Sequence, residues 1–286
     1  MFNPVQLPSN AELDKQWRRF DWGQKKYIKE KLENFCPSHP DVKDIKILVT
    51  GPVGGGKSSF INSVDSASLG RISSRALVDS DICGPVFTQK LKGFPIRSEK
   101  KRLPFILKDV MGLLSEAFEG PQPEDIINAV FGHVKDGYKF NEKQPLNFKD
   151  QQFNCDPKLS DQSFCLVYVI SAITVQYTDD RLIDKMKLIR QRISEKGIPQ
   201  VVIMTQVDNA CLLVNNDLRK VYSSKNIKEK MELCSAKLGV PLTNIFPVKN
   251  YHNEIDTEDD IDVLILKAFE QIVQLADDRL KDSENY

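Results

Sequence analysis

Eight consecutive residues constrain this chain more than anything else in it: Gly51-Pro52-Val53-Gly54-Gly55-Gly56-Lys57-Ser58, set between an apolar run at 45–50 and a helical pattern at 58–64. The spacing is G-x-x-x-x-G-K-[ST] in a strand–loop–helix context. Crowded anionic oxygens require backbone N–H groups that approach closely, and Gly51, Gly54, Gly55 and Gly56 allow that because they carry no Cβ. Lys57 adds a point charge for the outer phosphates, Ser58 a hydroxyl for Mg²⁺, and Ser59 opens the helix behind them. The N-terminus of that helix adds positive potential. A phosphate loop is the expectation.

The rest of the chain reads as a fold built around such a loop. β-rich runs at 45–50, 103–108, 164–170, 200–205 and 244–248 alternate with helical stripes. One stripe is Leu182, Met186, Ile189 and Ile193; another is Ile227, Met231, Cys234 and Leu238. Ile261, Leu264, Ala268, Ile272 and Leu275 make the last. Gly197 with Pro199, and Gly239 with Pro241, punctuate the first two. The pattern predicts an α/β domain with a mostly parallel central sheet flanked by helices. Leu13, Trp17, Phe20, Tyr27 or Ile28, and Leu32 predict a helix within 10–35. Residues 1–40 are thus a helical extension and linker, and 41–286 the main domain, with an insertion near 114–162 that carries a helix at 124–131. The acidic residues Glu254, Asp256, Glu258, Asp259, Asp260 and Asp262 suit the positive end of the last helix.

Forty basic residues balance forty acidic ones, so no global field draws the chain to nucleic acid or anionic lipid. Phe2 and the ending Ser283-Glu284-Asn285-Tyr286 match no lipidation signal, and the longest apolar run is too short to span a bilayer. Six cysteines without a C-x-x-C pair read as reduced thiols. A cytoplasmic protein without a membrane anchor, and without direct nucleic-acid binding, is expected.

Two later segments select the nucleotide. Asp109-Val110-Met111-Gly112 closes the run at 103–108 and matches the D-x-x-G element of GTPases, with Asp109 near Mg²⁺ and the Gly112 N–H at the γ-phosphate. Thr205-Gln206-Val207-Asp208 ends the next strand where GTPases place [NT]-K-x-D. A carboxylate at Asp208 accepts both the N1 and N2 hydrogens of guanine, a donor pair that adenine lacks. Gln206 replaces the usual Lys, whose stem packs over the base. Val248-Lys249-Asn250 follows the last strand and offers backbone contacts to the guanine oxygen.

With these strings in place the chain resembles the interferon-induced forty-four-kilodalton protein family. The resemblance is carried by GPVGGGKSSFINS (51–63), DVMG (109–112), KGIPQVVIMTQVD (196–208) and NIFPVKNY (244–251), and extends from about residue 12 to the C-terminus. It implies a Ras-like P-loop G domain binding GTP or GDP with Mg²⁺, a cytosolic location, interferon induction and an antiviral or antiproliferative role. Two features bear on catalysis. Leu113 stands where many GTPases carry the Gln that orients water. The switch-one threonine is assigned to Thr88, with Ser73, Ser74 and Ser80 as rivals, and Arg71, Arg75, Arg97 and Arg102 are candidate charge stabilisers or surface residues. The expected function is slow or partner-dependent GTP hydrolysis, self-association included among the routes to activation. A scaffold without turnover is the rival, and a dynamin-type remodeller is disfavoured for want of a stalk or anchor.

Overall fold

Alternation along one strand sets the layering. In the computed structural model, which describes residues 11–76, 90–115, 120–141 and 144–283, Ile45, Ile47 and Val49 face one core while Leu48 faces the other. The elements run α1 (Lys25–Glu33), β1 (Ile45–Thr50), α2 (Lys57–Leu69), β2 (Lys92–Arg97), β3 (Arg102–Asp109), α3 (Pro123–Val130), β4 (Cys165–Ser171), α4 (Asp180–Ser194), β5 (Gln200–Thr205), α5 (Val207–Ala210), α6 (Leu212–Asn216), α7 (Lys225–Leu238), β6 (Ile245–Pro247) and α8 (Asp259–Asp282). The strands form one sheet in the order β2-β3-β1-β4-β5-β6. β2 pairs antiparallel with β3, and the other neighbours pair in parallel. This is the α/β P-loop architecture of a Ras-like G domain.

One face packs α1, α2 and α8 around Phe60, Val64, Phe105 and Phe269. The other packs α3, α4 and α7 around Ile126, Tyr168, Met186 and Met231. β4 is buried along its whole length, which explains why its sequence is a nearly unbroken apolar run. β1 lies between β3 and β4, so the chain passes to opposite sides of it, and a crevice opens beyond the carboxyl ends of the strands. The phosphate loop leaves β1 at that point.

β2 is the strand missing from the sequence reading. Gly93 and Pro95 argue against a strand, yet β2 is an edge strand with a register irregularity between Pro95 and Arg97, where a missing donor is tolerated. The expected helix within 10–35 is shorter than its pattern. α1 covers Lys25–Glu33, while the preceding stretch is irregular, with bends and a turn, and docked on 222–225. Leu13 N–H donates to the Ser223 carbonyl at 2.8 Å and Trp17 N–H to the Tyr222 carbonyl at 3.1 Å. Trp17 and Phe20 each meet the Tyr222 ring, at 5.3 and 5.1 Å between centroids. Arg18 donates to the carbonyls of Ile245 (2.8 Å) and Leu242 (2.6 Å). Cross-chain pairing of backbone and rings therefore overrides the local helical spacing there.

Candidate functional site

The loop is held open by its glycines and pressed against a neighbouring strand. Gly51, Gly54 and Gly56 have φ of 135°, 73° and 89°, left-handed values that side chains rarely adopt. A Cβ on Gly51 would stand 2.4 Å from the Val169 carbonyl oxygen, and one on Gly55 2.6 Å from the same atom. Gly56 caps α2, so Lys57, Ser58 and Ser59 form its first turn and their N–H groups face the crevice. Lys57 is buried and curls back over the loop, its Nζ donating to the carbonyls of Pro52 (2.9 Å) and Gly51 (3.3 Å). Ser58 Oγ donates to Asp109 Oδ2 at 2.8 Å, joining the loop's hydroxyl to the carboxylate at the end of β3.

The base end is tied to the phosphate end by side chains on loop carbonyls. Thr205 Oγ1 donates to the Gly55 carbonyl at 2.7 Å, and Asn250 Nδ2 to the Gly56 carbonyl at 3.2 Å. Tyr251 N–H donates to Ser63 Oγ at 2.9 Å, fixing the segment after β6 to α2. Gln206 has φ of 57°, the one left-handed non-glycine among the described residues, and its carboxamide oxygen accepts from Ser171 Oγ at the end of β4. That turn starts α5 and presents Asp208 half-buried within it. Val248 N–H donates to the Met204 carbonyl at 2.8 Å, which leaves Lys249 and Asn250 at the rim. Lys249 pairs with Glu254 at 2.8 Å. Burial opposes the charge on Lys249, but Glu254 and the nearby Asp208 raise its pKa above the usual lysine value. Burial likewise opposes the charge on Glu254, yet the Lys249 ammonium and the His252 N–H hold its pKa down to about 2.

The sequence motifs therefore converge: Gly51, Gly54, Gly55, Gly56, Lys57, Ser58, Asp109 and Gly112 at one end, Thr205, Gln206, Asp208, Val248 and Lys249 at the other. Thr88 and Ser80 lie outside the described residues. Ser73 is turned away from the loop, its hydroxyl donating to buried Asp65 at 2.7 Å. Arg75 and Arg97 also serve Asp65, at 3.4 and 2.7 Å, and Arg102 pairs with Asp44 at 2.9 Å. Arg71 is exposed and donates to the Ile72 carbonyl at 3.4 Å. None of the four arginines reaches the loop in these contacts. The sequence reading missed Ser171 and the Asn250 side chain. A hydroxyl ending the apolar run at 164–170 was the signal for the first; Asn250 was valued only for its backbone.

No family model matches the chain. Interferon-induced protein 44 of Homo sapiens is 35% identical over 260 residues, which make up 90% of this chain and 58% of that protein. Interferon-induced protein 44-like of Homo sapiens is 31% identical over 253 residues, 88% of this chain and 56% of that protein. The chain is a homologue of the interferon-induced protein 44 and 44-like proteins. It spans somewhat more than half the length of these relatives. Among solved structures, a GTP-binding protein of Sulfolobus solfataricus in complex with GDP covers 81% of this chain and 52% of its own, at 16% identity and a TM-score of 0.38. The elongation factor SelB of Methanococcus maripaludis covers 84% of this chain and 34% of its own, at 13% identity and a TM-score of 0.40. The architecture rests on the strand order and the glycine loop. Among the described residues no helix is long and apolar enough to cross a membrane.

Proposed function

We propose that the chain binds guanine nucleotides with Mg²⁺ and serves interferon-induced antiviral immunity in the cytoplasm, with slow or partner-dependent GTP hydrolysis. The observation that carries this reading is the Ser58–Asp109 hydrogen bond at the mouth of a loop of left-handed glycines. The residues fit both groups. The N–H groups of the loop and of the first turn of α2 hold the phosphates, and Lys57 exchanges loop carbonyls for phosphate oxygens. Ser58 and Asp109, joined by that hydrogen bond, would hold Mg²⁺, which would neutralise charge on the phosphate oxygens. Asp208 reads the two donors of guanine. The interferon link comes from the names of the homologues.

Leu113 is buried in the core and does not face the crevice, so no group at that position orients a nucleophilic water. Unassisted turnover at or below about 10⁻⁴ to 10⁻³ per second is expected. The same observation favours a second reading, a nucleotide-bound scaffold that acts through protein partners without turnover. Calorimetry of GDP and GTP with Mg²⁺, on the parent chain and on Lys57→Ala, tests the common part. Binding that vanishes in a folded Lys57→Ala supports it, and equal binding by both refutes it. Single-turnover hydrolysis over a range of protein concentrations separates the two readings. A rate that climbs with concentration favours assembly-activated catalysis; tight binding without hydrolysis favours the scaffold.

A further inference from the structure

The segment after the D-x-x-G element is bridged to the phosphate loop. Leu113 N–H donates to the Gly51 carbonyl at 2.9 Å, and the Leu113 carbonyl accepts from Val53 N–H at 3.2 Å. Together they make a parallel bridge between Pro52 and Leu113. Gly112 is pressed against the loop by this pairing. A Cβ there would stand 2.6 Å from Val53 Cγ2 and 2.9 Å from the Val53 Cα, so Gly112 lies against the loop backbone with no room for a methyl group. One further contact holds the segment down: Lys185 Nζ donates to the Leu114 carbonyl at 2.7 Å. The Leu113 side chain is only 1% exposed, sunk in the core that also contains Val110, Ile126 and Met186.

A triphosphate differs from a diphosphate by one group, and that group belongs between Lys57 and the Gly112 N–H. Resting on the reading that this site takes guanine nucleotides, we propose that Leu113 is a latch that makes the pocket select the nucleoside diphosphate over the triphosphate. A third phosphate enters only when 112–114 peels off the loop. Peeling breaks the two backbone hydrogen bonds and draws an apolar side chain out of the core. A diphosphate leaves the latch closed. The position that lacks a water-orienting side chain thus sets which nucleotide the resting protein holds.

The test titrates GDP and the non-hydrolysable analogue GppNHp, each with Mg²⁺, into the full chain and into Leu113→Ala. A preference for GDP of at least about tenfold is expected in the parent, the scale of losing one or two hydrogen bonds. The ratio should fall toward one in Leu113→Ala and persist in Leu113→Met, which keeps an apolar side chain of similar volume. Amide hydrogen exchange of the parent gives a reading independent of variant folding. Leu113 and Val53 should be protected with GDP and exchange faster with GppNHp. Equal affinities in the parent, or equal protection with both nucleotides, overturn the latch alone. Binding of neither nucleotide overturns the nucleotide reading and the latch with it.

Discussion

The two ends of the crevice are built from different materials. At the phosphate end the backbone is the ligand, and three glycines with φ of 135°, 73° and 89° set its path against β4. At the base end side chains do the holding: Thr205 and Asn250 on loop carbonyls, Ser171 on Gln206, Lys249 on Glu254. The difference teaches where substitution is tolerated. A backbone path pressed against another backbone admits no added atom. A side-chain clamp can be rebuilt with a different clamp, and Gln206 in the usual lysine position, tied down by Ser171, is such a rebuilding.

The sharpest way to break this contrast is at Gly51. Its φ of 135° is hostile to an L side chain, and the new Cβ of Gly51→Ala would lie 2.4 Å from the Val169 carbonyl oxygen, a backbone atom of the buried central strand. Neither β1 nor β4 can give way cheaply. A loss of about 3 kcal/mol or more is expected, which lowers Tm by roughly 10 °C in a domain of this size. Thermal unfolding checks it, and an unchanged Tm would mean that the loop is not wedged on β4 as described.

At the base end the corresponding change leaves the fold alone and alters chemistry. Asp208→Asn replaces an acceptor-only carboxylate with an amide that offers a donor. Guanine then loses a paired acceptor, at a cost of about 2 to 3 kcal/mol, or roughly a hundredfold in affinity, while xanthine gains a partner for its extra carbonyl. Competition between GDP and xanthosine diphosphate is the measurement. An unaltered base preference removes Asp208 from the site and returns ATP as a contender.

The same contrast explains what could be read without coordinates. Gly51 to Ser58 was legible because backbone geometry forces residue type at fixed spacing, and β4 because burial on both faces forces an apolar run. The mostly parallel sheet flanked by helices followed from those constraints. β2 was not legible, since an edge strand tolerates the Gly93 and Pro95 that a central one excludes. Nor was the irregular course of residues 11–22, where Trp17 and Phe20 fit a helical stripe equally well and contacts with Tyr222, Ser223, Leu242 and Ile245, some two hundred residues away in sequence, decide otherwise. Side-chain clamps such as Asn250 on Gly56 have no spacing rule at all. Asn250→Ala measures that clamp directly: loss of one partly buried hydrogen bond predicts about 1 to 2 kcal/mol, near tenfold weaker nucleotide binding, with a smaller effect on Tm than Gly51→Ala. Full affinity in that variant would show that the loop needs no support from the base end.

The smallest expected effect is at the rim, and its pH dependence identifies it. Burial alone would raise the Glu254 pKa from its ordinary 4.5, but the hydrogen bond from Lys249 and the His252 N–H bring it down to about 2. A carboxylate whose folded pKa is depressed stabilises the fold above its unfolded pKa and loses that contribution as pH falls through the folded value. Lys249 has the opposite sign. Its raised pKa means that its contribution is complete below the ordinary 10.5 and fades as pH rises past it. The pair therefore acts in full between about pH 4.5 and 10.5, and its loss is confined to the acid and alkaline flanks. Partly exposed ion pairs contribute about 1 kcal/mol or less. Glu254→Gln should lower Tm by a few degrees at pH 6, a gap that narrows steadily as the buffer is taken from about pH 4.5 toward 2. Guanine-nucleotide affinity should fall less than in Asn250→Ala, since only the placement of Lys249 is relaxed. A Tm gap that stays constant down to the acid limit would mean that Glu254 acts through packing, and that charge has no part in holding this rim.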